Sequence, residues 1–255
     1  MEVLRVDGLS KNFGGLQVFH GLSFTVEAGD KLALIGPNGA GKTTLLNILG
    51  GQLPATAGRV HLLGQEITRL APRHRLHLGL SRSFQLNNLF LNLTLMDNIL
   101  LALEGAERSH FQMLHPIDAQ TELVATAQEL LESMGLWEKR FDPITTLSYG
   151  DQRRMDLALA MVSKPKLLLL DEPSAGLTIA ESVSLADTMR QLPKDTALFF
   201  CAHDMDLVFN LADQIMVLGS GQIIARGTPH EIQANPKVKE IYLGSEEISE
   251  DVRNS

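Results

Sequence analysis

The stretch GPNGAGKT, residues 36–43, decides how the rest of the chain is read. It completes the pattern G-x-x-x-x-G-K-[S/T]. Before it, KLALI (31–35) is a short apolar run that reads as a strand. After it, TTLLNILGG (43–51) reads as a helix, with glycines following its last periodic leucine. A strand, a glycine-rich loop and a helix N-terminus in that order form a phosphate cradle. The glycines let backbone N–H groups turn inward, and the helix end adds partial positive charge. Lys42 then reaches the β- and γ-phosphates, and the Thr43 hydroxyl can ligate Mg²⁺. An unliganded glycine turn would need neither side chain.

Outward from this loop, residues 2–7 and 22–26 alternate apolar and polar, as half-buried strands do. GRVHLLGQEI (58–67) reads as a strand and turn. The texture changes near residue 87, where the spacing becomes helical. Leu123, Ala127, Leu130, Leu131 and Met134 share one helical face. Residues 105–120 read as a loop-rich connection. DQRRMDLALAMV (151–162) is helical again, with Met155, Ala158, Leu159 and Val162 on one stripe. After Pro165, KLLLL (166–170) and TALFFCA (196–202) are apolar on both faces, as central strands of a covered parallel sheet are. GTPHEI (227–232) predicts a helix start, with Thr228 as N-cap, Pro229 next and Glu231 closing the box. The final residues, 245–255, read as a polar tail.

LLLLDE (167–172) ends a buried strand in two carboxylates, at the sheet edge where open α/β folds bind ligands. Successive strand residues point opposite ways, so the two acids have different tasks. Asp171 would hold a metal directly or through its water, and Glu172 would orient and polarise an attacking water. His203 ends the next apolar run and would face the γ-phosphate. Gln85 closes GLSRSFQ, at the boundary between sheet and helices. Phe13 is either a base-stacking aromatic or a core residue of an early strand.

The totals narrow the class. With 255 residues, the chain suits one large domain or a domain with a subdomain. A net charge of −8 argues against a nucleic-acid partner held by phosphate attraction. A single cysteine, Cys201, allows no internal disulfide and suits a reducing compartment. The N-terminus lacks an apolar signal core, and no run approaches the ~18 apolar residues of a membrane span. A soluble chain is expected, with any membrane role exerted through a partner.

LSYGDQ (147–152) completes the set. Ser148 and Asp151 have the spacing of a capping box, so the segment could be no more than a helix start. Yet GPNGAGKT, Gln85, LSYGDQ, LLLLDE, PSAGLT (173–178) and His203 follow one another as in an ABC-type ATPase. The chain resembles the nucleotide-binding subunit of ABC transporters over residues 1 to about 244. Its LSYGDQRR, GLSRSFQ, HDMDLV and GTPHEI…IYLG are similar to ATPase subunits of branched-chain amino-acid importers. Tyr149 stands where the family has glycine, and Thr178 where it has aspartate.

That resemblance implies a RecA-like α/β P-loop core, residues 1–86 and 166–244, with a β-rich N-terminal portion. An α-helical subdomain, 87–165, is inserted in it. The implied nucleotide contacts are Phe13, Gly36, Pro37, Asn38, Gly39, Ala40, Gly41, Lys42, Thr43 and Thr44. The implied metal ligands are Thr43, Gln85 and Asp171, and the implied catalytic set is Glu172, His203 and Gln85. The signature residues Ser148, Tyr149, Gly150, Asp151 and Gln152 would contact ATP bound to a second ATPase subunit, identical or different. The ligands are ATP and Mg²⁺. The implied partners are integral membrane subunits and, indirectly, an extracytoplasmic solute-binding protein, with the chain peripheral on the cytoplasmic face of the plasma (inner) membrane. Urea and lipopolysaccharide-transport ATPases share much of this pattern. A soluble ABC ATPase of translation or DNA repair usually has two cassettes or a coiled-coil insertion. A P-loop small-molecule kinase would leave LSYGDQ and His203 unexplained.

Overall fold

The computed structural model of the protein describes residues 1–83, 89–106 and 117–240. Gln85, residues 107–116 of the connection read as loop-rich, and the tail 245–255 lie outside these residues. The chain opens with two 12-residue antiparallel strands, β1 (Glu2–Phe13) and β2 (Leu16–Glu27). They extend well beyond the alternating segments 2–7 and 22–26, because register shifts between Val6 and Leu9 and between Leu9 and Lys11 break the period-two pattern. β4 (Ala57–Leu62) and β5 (Gln65–Glu66) complete a four-stranded sheet of order β2-β1-β4-β5.

A second, six-stranded sheet carries β3 (Lys31–Ile35), β6 (Leu80–Arg82), β7 (Leu167–Asp171), β8 (Ala197–Cys201), β9 (Gln214–Gly219) and β10 (Gln222–Gly227). Its order is β10-β9-β3-β8-β7-β6, parallel except for the antiparallel edge strand β10. β3, β8 and β7 are therefore neighbours, and everything that follows their C-terminal ends meets at one edge.

The pleat sorts the apolar runs between two cores. Leu32, Leu34, Leu167, Leu169 and Phe199 face the four-stranded sheet and helix α1 (Lys42–Leu49). Phe24 and Phe199 stack across this gap at 5.7 Å. Ala33, Ile35, Leu168, Leu170 and Phe200 face the helical layer. That layer holds α3 (Leu95–Ala106), α4 (Ile117–Ser133), α5 (Tyr149–Met161), α6 (Ile179–Arg190), α7 (Met205–Leu211) and α8 (Pro229–Ala234). Burying both faces of KLLLL and TALFFCA is what their lack of alternation requires.

Two local expectations change. Residues 105–106 and 117–120, read as part of a loop-rich connection, belong to the end of α3 and the start of α4. The single stripe on α5 is too narrow. Asp151, Arg153, Asp156, Leu157, Ala160 and Met161 are buried beside Met155 and Ala158, because α5 packs between α3 and α4 on one side and α6 and β6 on the other.

Short α2 (Pro72–His77) supplies a fully buried arginine. Arg75 donates to the carbonyls of Ile48 and Leu49 at 2.6 and 2.7 Å, and to Leu70 and Thr68 at 2.9 and 3.1 Å. It therefore satisfies the C-terminal end of α1, the helix that starts at the phosphate loop. Burial lowers its pKa to about 10, so it stays charged. Arg75→Met should cost about 2–4 kcal/mol in urea unfolding, because four carbonyls lose a charged donor. An unchanged midpoint would show that water replaces the guanidinium without loss.

Candidate functional site

The phosphate loop leaves β3 at Gly36, where the backbone passes so close to the Leu218 carbonyl that a Cβ would collide with it. Only glycine fits there, which explains the first residue of the motif. α1 begins at Lys42 with no side-chain cap, leaving N–H groups at its start without a side-chain partner. Lys42 folds back, its ammonium donating to the carbonyls of Gly36 at 2.7 Å and Pro37 at 3.1 Å. Burial lowers the pKa of this ammonium. A phosphate would give it an anionic partner in place of two neutral carbonyls. Thr43 is exposed and Thr44 half-buried at the helix start.

A cavity of about 290 Å³ adjoins the loop, lined by Leu16, Gln17, Val18, Pro37, Asn38, Gly39, Ala40, Ser220 and Gly221. Phe13, at the end of β1, is 49% exposed, which removes the core-residue alternative. The Lys11 ammonium sits 4.6 Å from its ring centroid, while also donating to the Pro54 carbonyl at 2.9 Å. One ring face is thus held by a cation–π contact.

The two carboxylates have different surroundings, as their alternation requires. The Thr43 side chain lies beside Asp171 and works to lower its pKa. Arg82 of β6 approaches it at 3.3 Å and also donates to Asn47 at 2.7 Å and Gln52 at 3.0 Å. Burial raises the Asp171 pKa, and the Arg82 guanidinium works against that rise. Glu172 turns away with a positive φ of 50°, its N–H donating to the Cys201 carbonyl at 2.9 Å. Its Oε1 lies 3.0 Å from His203 Nε2. A non-glycine residue with this backbone costs about 1–3 kcal/mol and persists only where neighbours over-determine it. Here the pairing of β7 with β8 does so.

Three sequence-derived elements therefore converge: the phosphate loop after β3, Asp171 and Glu172 at the end of β7, and His203 after β8. The oxygen pair of Thr43 and Asp171 is a hard donor set that suits Mg²⁺, with phosphate oxygens and water completing the shell. Among the described residues, no group of three or more His, Cys, Asp or Glu could hold a metal alone.

LSYGDQ behaves differently. Ser148 caps α5, its Oγ accepting from the Asp151 N–H at 3.1 Å. The buried Asp151 carboxylate pairs with Lys139 and Arg154. Burial works to raise its pKa, and those cations outweigh it and hold it low. Gln152 donates to the Leu147 carbonyl at 3.1 Å. Tyr149 OH accepts from Arg153 at 2.6 Å. The Gly150 N–H donates to Glu181 Oε1 at 3.3 Å. None of these partners belongs to the phosphate loop.

Sequence reading missed Arg82, Arg153 and Glu181. Arg82 lies three residues before Gln85, but only the pairing of β6 with β7 puts it on Asp171. Glu181 had a local signal, since Thr178 and Glu181 form a full capping box at the start of α6.

A phosphate loop, a paired acid and histidine at the same sheet edge, and a separate capped signature loop define an ATP-binding cassette. The model of the family "ABC transporter" matches residues 19–175, and that of "Branched-chain amino acid ATP-binding cassette transporter" matches residues 222–248. The chain belongs to the ABC transporter family. It is 37% identical to the high-affinity branched-chain amino acid transport ATP-binding protein LivG of Salmonella typhimurium, over 95% of this chain and 98% of that protein. It is also 37% identical to BraF of Pseudomonas aeruginosa, a protein of the same description, with the same coverage. Among solved structures, the ADP conformation of an ATP-binding cassette of an ABC transporter superposes with a TM-score of 0.84 at 30% identity, covering 96% of this chain and 99% of that one. A nucleotide-free cassette gives 0.82, also at 30% identity, covering 95% and 99%. The chain is thus a nucleotide-binding transport ATPase, and among its described residues no helix is long and apolar enough to cross a membrane.

Proposed function

We propose that this chain hydrolyses ATP to energise the import of branched-chain or related amino acids through separate membrane subunits. The observation that carries the hydrolytic part is the convergence of Lys42, Asp171, Glu172 and His203 on adjacent strand ends. Lys42 and the loop N–H groups hold the β- and γ-phosphates, and Phe13 stacks the base. Thr43 and Asp171, with Gln85, would hold a magnesium ion, which would supply positive charge against the phosphate oxygens. Glu172 orients a water in line with the γ-phosphorus and takes its proton, while His203 fixes the carboxylate and faces the γ-phosphate. The substrate class rests on the described relatives and the matched C-terminal segment.

The signature loop has no partner in this chain's own phosphate loop, which supports a site shared between two copies or two related ATPases. Ser148 and the Gly150 N–H would receive the γ-phosphate of the other chain's ATP, helped by the α5 dipole. We further propose that residues 87–165 act as a helical subdomain. A cavity of about 270 Å³ lies where it meets the core, lined in part by Gln52, Pro72, Leu76, Arg82, Asp156 and Leu159. Beside it, Phe90 and Leu101 are exposed and border a second hollow that also reaches Leu159. The apolar character of this seam supports docking of a helical segment of a membrane subunit there, and the proposed location is peripheral, on the cytoplasmic face of the membrane.

Ser148→Arg tests the shared site. Nucleotide binding per chain should stay within about twofold, while hydrolysis falls by at least about 10²-fold, because a bulky cation fills the space of the incoming γ-phosphate. Cooperative hydrolysis at the parent rate would reduce LSYGDQ to a helix cap. Identifying the membrane proteins that co-purify with the chain tests the transport assignment; recovery of ribosomes or DNA instead would overturn it.

A further inference from the structure

We propose that the Glu181 carboxylate is a resident anion on the signature loop, occupying the Gly150 N–H until the γ-phosphate of a second chain displaces it. The inference rests on the shared-site reading and deepens it. One carboxylate spans two helix starts. Its Oε1 accepts from Gly150 N–H at 3.3 Å, and its Oε2 accepts from the Thr178 N–H at 3.0 Å and hydroxyl at 2.8 Å. The Thr178 contacts hold the Glu181 carboxyl below its ordinary pKa, so the group is an anion at neutral pH.

The Gly150 contact is long for a charge-assisted hydrogen bond, so a phosphate oxygen approaching more closely would win the donor. The two anions exclude one another. A Cβ built on Gly150 would already lie 3.0 Å from both Cγ and Oε1 of Glu181, so the carboxylate fills the space in front of the loop. Displacement frees Oε1 alone. The Thr178 cap can persist, and a second clamp stays in place. The Tyr149 ring lies against Gly176, and Arg153 bridges Tyr149 OH at 2.6 Å and the Ala175 carbonyl at 3.4 Å. The segment 174–181 therefore stays attached to the signature loop while its resident charge swings out. Glu181 acts as a positioning residue that sets the ATP concentration at which the two chains close.

Glu181→Gln keeps the shape and the Thr178 contact but removes the competing charge. In a Glu172→Gln background, where closed dimer accumulates, size-exclusion chromatography with Mg·ATP should show closure at an ATP concentration lower by about three- to tenfold. With Glu172 present, KM for ATP should fall by a similar factor, about three- to tenfold, while kcat changes by less than about twofold. A purely structural role in capping α6 would raise the closure concentration or leave it alone, and would lower the thermal midpoint. Closure at an unchanged or higher concentration would overturn the proposal while leaving the shared site intact. Closure by neither Glu172→Gln nor the double variant, or closure that survives Ser148→Arg, would overturn the shared-site reading and this proposal with it.

Discussion

Glu172→Gln will lower ATP hydrolysis by on the order of 10²–10⁴-fold while ATP still binds. Glutamine preserves volume and one hydrogen-bonding oxygen, but it takes no proton and carries no charge. The position is defined by the backbone: a φ of 50° at Glu172 and the N–H bond to the Cys201 carbonyl aim the side chain at His203. Those features survive the substitution, so the loss reports chemistry instead of geometry. Binding persists because Lys42, Thr43, Asp171 and the loop N–H groups are untouched. Phosphate release measures the rate, and size-exclusion chromatography with Mg·ATP against ADP measures closure. ATP that is no longer hydrolysed should trap the two-chain form. A parent-like rate would remove Glu172 from the mechanism. A dead enzyme without ATP-dependent closure would keep its catalytic role and count against the shared site.

Lys42→Ala should lose more than about 10²-fold in ATP affinity or turnover, with the fold retained. The lysine is only 7% exposed, yet among the described residues its hydrogen bonds go to Gly36 and Pro37 of its own loop. Its removal frees two carbonyls near the surface and leaves both sheets unchanged. What disappears is the cation that balances charge on the β- and γ-phosphates as the bond between them breaks. Equilibrium binding of a fluorescent ATP analogue and circular dichroism would separate the two effects. Tight binding and full turnover in a folded variant would rule out a phosphate role for GPNGAGKT.

Sequence by itself determined the parts of this protein that are made within a few residues. The phosphate loop was legible because a strand, glycines that escape side-chain collision, and a helix start are all local requirements. The acid pair was legible because an unbroken apolar run must end at the edge of a covered sheet. Capping at Thr228 was legible because the box closes over three residues, and the structure contains it. Phe13 was not decidable, since its burial depends on whether another layer covers the end of β1. The tertiary structure alone decided that Arg82 meets Asp171, 89 residues further along the chain, because β6 pairs with β7 with Leu80 opposite Leu167 and Arg82 opposite Leu169. It alone buried α5 nearly all round and brought Glu181 to Gly150 and Arg75 to the end of α1. These are contacts between segments far apart in the chain. Strand order and helix packing choose the partners, and no periodicity or local hydrogen bond within either segment records that choice.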